Sequence, residues 1–301
     1  VDPVRLFVKN EPHSARKLEQ RAYRLISSVS VVDQIVSRLL FGRLNELEIA
    51  NFQSIPSQPG MGLEDEDFHR MGSWLSQGSQ LVSTDISGFD WNVTLWQLLD
   101  EAQVRCLLYG LSPVDKAWSL IHSRAWALAH SVLVLSDGVL LAQQRPGLQK
   151  SGDYTTSSTN SRIMAMLLLY SGATSMWTMG DDAVSIGTDE TALRSFLDVK
   201  EFSSSAAEFT FCAHRVRGTS EGTYEVSFQN WRKSAYRLLC VCPSLTSEEE
   251  QCQHVFQFCH SMRFDKEARD VVLRHLKPFV KAGTGAYIDE ELAGTFPVLS
   301  S

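Results

Sequence analysis

The chain has 301 residues, 44% of them hydrophobic and 21% charged, which is enough apolar material for a substantial core and excludes a disordered chain. Its formal net charge of −7 argues against a general nucleic-acid binder, and no run reaches the ~18 apolar residues that span a bilayer. The charge is uneven, because residues 1–43 carry eight Lys and Arg against four Asp and Glu.

In chain order, Ser30-Val31-Val32-Asp33 reads as a helix cap. The following helix has Val32, Ile35, Val36, Leu39 and Leu40 on one stripe, is expected to pack that stripe inward, and ends at Gly42. Residues 50–78, punctuated by Pro56, Pro59, Gly60, Gly62, Gly72 and Gly78, read as an irregular connection. Leu81 to Asp85 is a predicted strand that ends in a carboxylate, followed by a helix from Asn92 to Tyr109. A further helix spans Ala117 to His130, with Trp118 and Trp126 expected in the core. Apolar runs on either side of Ser136-Asp137-Gly138 predict a hairpin. Ser151 to Asn160 is a small polar loop opening onto a helix from Ile163 to Tyr170. Thr188 is the predicted cap of a short helix to Leu197, and Glu208 to His214 alternates like a strand. A capping box at Thr246 to Glu250 leads into helices through Phe258 and from Lys266 to Leu276.

Chemistry concentrates at Gly180-Asp181-Asp182, between the strand-forming runs Met176 to Met179 and Ala183 to Ile186. A tight hairpin there presents adjacent carboxylates at its tip, and Gly180 supplies the backbone freedom the turn needs. Magnesium prefers oxygen ligands and keeps substrate phosphates in its shell, so such a tip suits phosphoryl transfer. Asp85, at the carboxyl end of its strand, is positioned to share metals with Asp181. Cys240, Cys242, His254 and Cys259 offer zinc-ligand types, but the Cys-x-Cys spacing is uncommon and buried thiols are frequent. The six cysteines are expected to be free thiols of a reducing compartment.

Three segments, Asp85-x4-Asp90, Ser151-Gly152-x3-Thr156-x3-Asn160 and Gly180-Asp181-Asp182, resemble motifs A, B and C of viral RNA-dependent RNA polymerases. Phe7 to His13, Tyr23 to Ser30 and Pro56 to Leu63 resemble finger segments of sobemovirus and polerovirus replicases. The likeness runs from Val4 to about His214. It implies an α+β right-hand polymerase fold with an antiparallel-sheet palm, interleaved fingers and a helical thumb. Residues 1–80 and 101–150 would then be fingers, 81–100 and 151–214 palm, and 215–301 the palm edge and thumb. The amino-terminal fingers would be incomplete, since the pattern begins almost at Val1.

The resemblance also implies two Mg²⁺ or Mn²⁺ ions on Asp85 and Asp181, assisted by Asp182. Asp90 and Asn160 would read the ribose hydroxyls, with Ser151, Gly152 and Thr156 completing that site. For Asp90, capping of the following helix is the competing role. Arg24 and Lys9, with Arg16 or Lys17, would meet the triphosphate, and Lys200 matches the lysine that protonates pyrophosphate. Glu208 to His214 resembles motif E, which grips the primer end. Expected partners are template and nascent RNA, nucleoside triphosphates and other viral replicase proteins, in a replication complex in the host cytoplasm. The rivals are an inactive palm serving as a structural subunit, against which the intact carboxylates argue, and a reverse transcriptase. Met179 in place of the usual Tyr, together with Asn160, argues against the second.

Overall fold

The structure, a computed structural model, describes residues 1–11, 15–63, 65–76, 79–219 and 224–240, and beyond these 247, 254, 257–265, 267, 268 and 271. Two compact units emerge: Val1–Gly62 with Gln80–Ser204, and Leu63–Ser79 with Ser205–Ser301. Leu63–Ser79 groups with the carboxyl-terminal residues because the helix it contains packs on strands of that unit.

In the first unit, β1 (Val4–Val8), α1 (Ala15–Glu19), β2 (Leu25–Ser28) and α2 (Val31–Ala50) are followed by a 3₁₀ turn at Phe52–Ser54. In the second unit lies α3 (Asp65–Ser76). The first unit resumes with β3 (Leu81–Ile86), α4 (Phe89–Asn92), α5 (Leu95–Leu108), α6 (Lys116–Ala129), β4 (Leu133–Val134) and β5 (Leu140–Leu141). It continues with α7 (Thr156–Tyr170), β6 (Ser175–Met179), β7 (Asp182–Ile186), α8 (Glu190–Phe196) and β8 (Val199–Ser205). The second unit then adds β9 (Glu208–Phe211), β10 (His214–Gly218), β11 (Tyr224–Phe228) and α9 (Trp231–Cys240).

Two sheets build the first unit, in the orders β2-β1-β4-β5 and β6-β7-β3-β8. The second sheet is antiparallel from β6 through β7 to β3 and is backed by the main core, where Phe89, Leu98, Ile163, Leu167, Leu168, Met176 and Leu193 are buried together. Ser57 bridges Thr178 in parallel, so Pro56 to Gln58 flanks the β6 edge through Thr178 N to Pro56 O (2.9 Å) and Gln58 N to Thr178 O (2.8 Å).

Helix α2 reverses the expectation drawn from its pattern. It starts at the Ser30 cap as predicted but runs past Gly42 to Ala50, and Val32, Ile35 and Leu39 are exposed. The inward face is Asp33, Ser37, Phe41, Leu44 and Glu48. Two buried polar networks explain this. Arg162 pairs with Glu48 (2.7 Å) and Glu101 (2.8 Å), and Glu101 pairs with Arg105 (2.6 Å), joining α2, α5 and α7. Arg124 pairs with Asp33 and lies 3.5 Å from Asp153, which accepts from Ser37 Oγ at 2.9 Å.

Other boundaries also move. The predicted helix from Asn92 is broken by the extended Val93, and α5 begins after a Thr94–Gln97 capping box. The polar loop ends at Thr155, so Thr156 to Asn160 are helical. Thr188 bonds Ser185 (2.6 Å) and leaves the α8 cap to Asp189, which accepts from Ala192 N at 2.7 Å. Trp126 is an exposed residue stacked on His130 rather than a core one. The hairpin around Asp137 forms as predicted, Leu133 opposite Leu141.

In the second unit, α3 occupies a stretch expected to be irregular. Gly72 lies within it because the Tyr224 ring is so close that a Cβ would sit 2.6 Å from it. The strand expected over Glu208 to His214 is instead a hairpin, turned by Cys212 and Ala213 at φ +48° and +62°. The predicted Thr246 capping box and the helix from Lys266 to Leu276 fall almost wholly outside the described residues, as does most of the helix leading to Phe258. Among the described residues no helix is long and apolar enough to cross a membrane.

Candidate active site

Strand β3 pairs with β7 from Leu81↔Ile186 to Thr84↔Ala183, so Asp85 emerges just past the last ladder pair, beside the β6–β7 tip. The hairpin closes with Met179 opposite Asp182, leaving Gly180-Asp181 as a two-residue turn. Gly180 adopts φ +66°, which a side chain would resist, although open space surrounds the position where a Cβ would lie. Its amide donates to Ser161 Oγ at 2.8 Å, and Thr178 Oγ1 donates to Ser161 O at 2.8 Å. Ser161, buried on α7, thus anchors the tip. No motif reading singled it out, and its only signal was its place directly after Asn160.

After Asp85 the chain turns through Gly88, left-handed at φ +53°, into the single-turn α4. Gly88 is the cap, so Asp90 is not. Its carboxylate instead accepts from Asn160 Nδ2 at 2.7 Å. Asn160 is 5% exposed and its Oδ1 is a buried acceptor with no partner. Burial pushes the Asp90 pKa up, the nearby Asp181 charge adds to this, and the Asn160 bond and Arg24 oppose it. The Asp181 pKa is also raised, chiefly because surrounding protein desolvates the carboxylate although the tip is open to solvent on one side. The Asp85 charge contributes in the same direction and Arg24 opposes it.

Arg24 therefore stands near enough to act on both carboxylates. It precedes β2, and its Nη1 lies 3.3 Å from Glu11, whose other oxygen is 3.2 Å from Lys9 Nζ. Arg16 and Lys17 are exposed on the short α1. Lys200, on the strand beside β3, pairs with Asp85, which raises the Lys200 pKa.

The remaining predicted residues are engaged with protein. Ser151 Oγ accepts from Ser27 N (3.1 Å), and Ser27 Oγ accepts from Ser151 N (2.8 Å). Gly152 lacks a side chain where a Cβ would come within 2.9 Å of Ser27 O, so its bareness serves loop-to-β2 packing. Thr156 Oγ1 donates to the carbonyls of Lys150 and Asp153, both 2.8 Å, tying down the start of α7.

Among the described residues no three His, Cys, Asp or Glu side chains form a ready-made metal cage. The donor set still fits a hard divalent ion. Asp85, Asp181 and Asp182 are all oxygen donors at one sheet end, and the mutual repulsion of Asp85 and Asp181 is what a cation would relieve. Magnesium commonly takes one or two carboxylates and fills its shell with water and phosphate.

A family model described as viral RNA-directed RNA-polymerase matches residues 1–84 and 69–224. The chain is 44% identical over 286 residues to protein P2-P3 of Poinsettia latent virus, covering 89% of this chain and 25% of that protein. It is 41% identical over 263 residues to replicase polyprotein P2AB of Southern cowpea mosaic virus, covering 82% and 27% respectively. It thus spans about a quarter of the length of these curated relatives. The crystal structure of the RNA-dependent RNA polymerase of a human picorbirnavirus superposes with TM-score 0.70 at 14% identity, over 90% of this chain and 55% of that one. That likeness establishes the fold, and the motif-bearing residues 1–224 lie within the matched model, so the chain belongs to the viral RNA-directed RNA-polymerase family, whose members use divalent metal ions.

Proposed function

We propose that the chain carries out template-directed RNA synthesis, transferring a nucleotidyl group from a nucleoside triphosphate to an RNA 3′-hydroxyl during viral genome replication. The observation that carries this reading is the meeting of Asp85 with the Gly180-Asp181 tip, with the Asp90–Asn160 pair alongside. The 3′-oxygen gives up its proton to solvent and bonds to the α-phosphorus, the bond from that phosphorus to the bridging oxygen breaks, and pyrophosphate departs with the electron pair. Asp85 and Asp181, assisted by Asp182, are the residues that would hold two Mg²⁺ or Mn²⁺. When bound, such ions activate the hydroxyl and offset charge on the α-phosphate and the leaving pyrophosphate.

The other residues bind and orient. Arg24 and Lys9 supply positive charge for the triphosphate, the guanidinium through a planar fork. Asp90 accepts from a ribose hydroxyl, and the unpartnered Asn160 oxygen is a second acceptor in the same pair. Lys200 donates a proton to pyrophosphate once released from Asp85. In this reading residues 81–100 and 151–214 serve as palm and 1–80 and 101–150 as fingers, with 215–301 as palm edge and thumb, and the chain works with other viral replicase proteins in the host cytoplasm.

The test is incorporation of labelled NTP, and separately dNTP, on a short RNA template with Mg²⁺, with and without primer. Template-dependent NTP incorporation is expected. Preferential dNTP use would indicate a reverse transcriptase, and no incorporation on any template a non-catalytic subunit.

A further inference from the structure

Lys150 precedes the Ser151-Gly152 loop and is 1% exposed. Its ammonium donates to two main-chain carbonyls of its own loop, Gly147 O at 2.9 Å and Leu148 O at 2.6 Å. Both residues have left-handed backbones, Gly147 at φ +145° and Leu148 at φ +61°. For leucine that conformation is sterically disfavoured and must be held by its surroundings. The acceptors are neutral and the site is buried, which pushes the Lys150 pKa down to about 7. An ammonium so placed is a poor choice for packing alone.

The turn that Lys150 grips holds the Asp90 segment. Leu148 N donates to Val93 O at 2.7 Å and Gln149 N to Asp90 O at 2.8 Å, while Gly147 is bridged to Thr94. Gly147 fits there only without a side chain, since a Cβ would come 2.4 Å from Val93 O. On its other side Lys150 O accepts from Thr156 Oγ1 at 2.8 Å, at the start of the helix that carries Asn160. Lys150 therefore lies on a continuous bonded path between the backbone of Asp90 and the base of α7.

We propose that Lys150 is a positioning residue for ribose selection. By clamping the left-handed turn at Gly147-Leu148 it fixes the α4 backbone and thereby the register of the Asp90 carboxylate against Asn160. This rests on the reading of Asp90 and Asn160 as the ribose-hydroxyl pair. Losing the clamp lets the turn relax and shifts Asp90 relative to its partner, so the loss appears in the discrimination between ribose and deoxyribose.

The experiment is single-nucleotide addition of ATP and dATP on a primed RNA template by the wild type, Lys150→Met, Lys150→Gln and Asn160→Ala, with thermal melting of each. Lys150→Met is expected to narrow the ATP-to-dATP ratio of kcat/KM about tenfold, mainly through a higher KM for ATP, since an ångström of misplacement can cost up to a hundredfold. Lys150→Gln, which keeps an amide donor in the pocket, should recover part of the ratio, and it is also the variant to measure if the methionine protein does not fold. An unchanged ratio in a folded Lys150 variant, alongside a narrowed one in Asn160→Ala, overturns the role of Lys150. An unchanged ratio in Asn160→Ala overturns the ribose-pair reading itself.

Discussion

Lys200 holds the Asp85 carboxylate, so one cation of the chain sits where a divalent ion would draw its first oxygen. Both side chains are more than half exposed, and such a pair is worth at most about 1 kcal/mol. A metal ion therefore displaces the ammonium at small cost. Lys200→Met should lower the Mg²⁺ concentration for half-maximal activity by about two- to fivefold, following that 1 kcal/mol, while lowering the rate at saturating Mg²⁺. Titration of single-nucleotide addition with Mg²⁺ measures both. An unchanged midpoint would mean that the pair does not compete with the metal.

Asp181→Asn should abolish nucleotide addition, and incorporation within about twofold of wild type would remove Asp181 from the metal site. The same substitution should stabilise the metal-free fold at neutral pH. The folded-state pKa of Asp181 is raised, so its contribution to stability is full below the unfolded value near 3.8 and is lost as pH rises through the folded value. An amide carries no such cost. Thermal melting in chelator should give a higher Tm for the variant at pH 7, with the difference shrinking toward acid.

Because Asp181 holds its proton above the usual carboxylate range, protons compete with metal at a higher pH than for a free aspartate. The acid limb of nucleotide addition should lie above the ordinary value of ~3.9 and move to lower pH as Mg²⁺ is raised. A limb insensitive to Mg²⁺ would place the titrating group elsewhere.

Arg24→Lys keeps a charge that can pair with Glu11, as Lys9 already does, but loses the planar fork. The expected effect is a raised KM for NTP, with kcat/KM down about ten- to a hundredfold from one lost charge-assisted bond of roughly 1.5–3 kcal/mol. RNA affinity should hardly change. Weaker RNA binding with normal NTP kinetics would move Arg24 to the template track.

Ser161→Ala removes the acceptor for the Gly180 amide and, with it, the tether of the hairpin tip to α7. A loss of about 1–3 kcal/mol should divide between a lower Tm and a lower kcat, with KM for NTP little changed. Wild-type kcat in this variant would show that strand pairing alone sets the tip.

The carboxylates were legible in the sequence because each depends on local chemistry. A glycine between strand-forming runs dictates a tight turn, and Asp85, near the end of β3, is exposed past the last ladder pair. The buried face of helix α2 was not legible, since its apolar stripe obeys the usual helical period, whereas that face finds Arg124, Asp153 and Arg162 as partners far along the chain. Helix α3 was hidden by Gly72, which reads as a breaker until the Tyr224 ring above it is seen. Ser151, Gly152 and Thr156 were found by pattern, but the bonds of Ser151 and Gly152 to Ser27 depend on tertiary placement, whereas those of Thr156 to the Lys150 and Asp153 carbonyls are local.

The alternating chain Glu48, Arg162, Glu101, Arg105 acts as a ratchet pin. Sliding α7 by one turn, about 5.4 Å, would part Arg162 from both acids and strand buried charges at several kcal/mol each. If the chain adds nucleotides as proposed, motion is expected in loops and strand ends around α7, the helix from which both Asn160 and the Ser161 tether project.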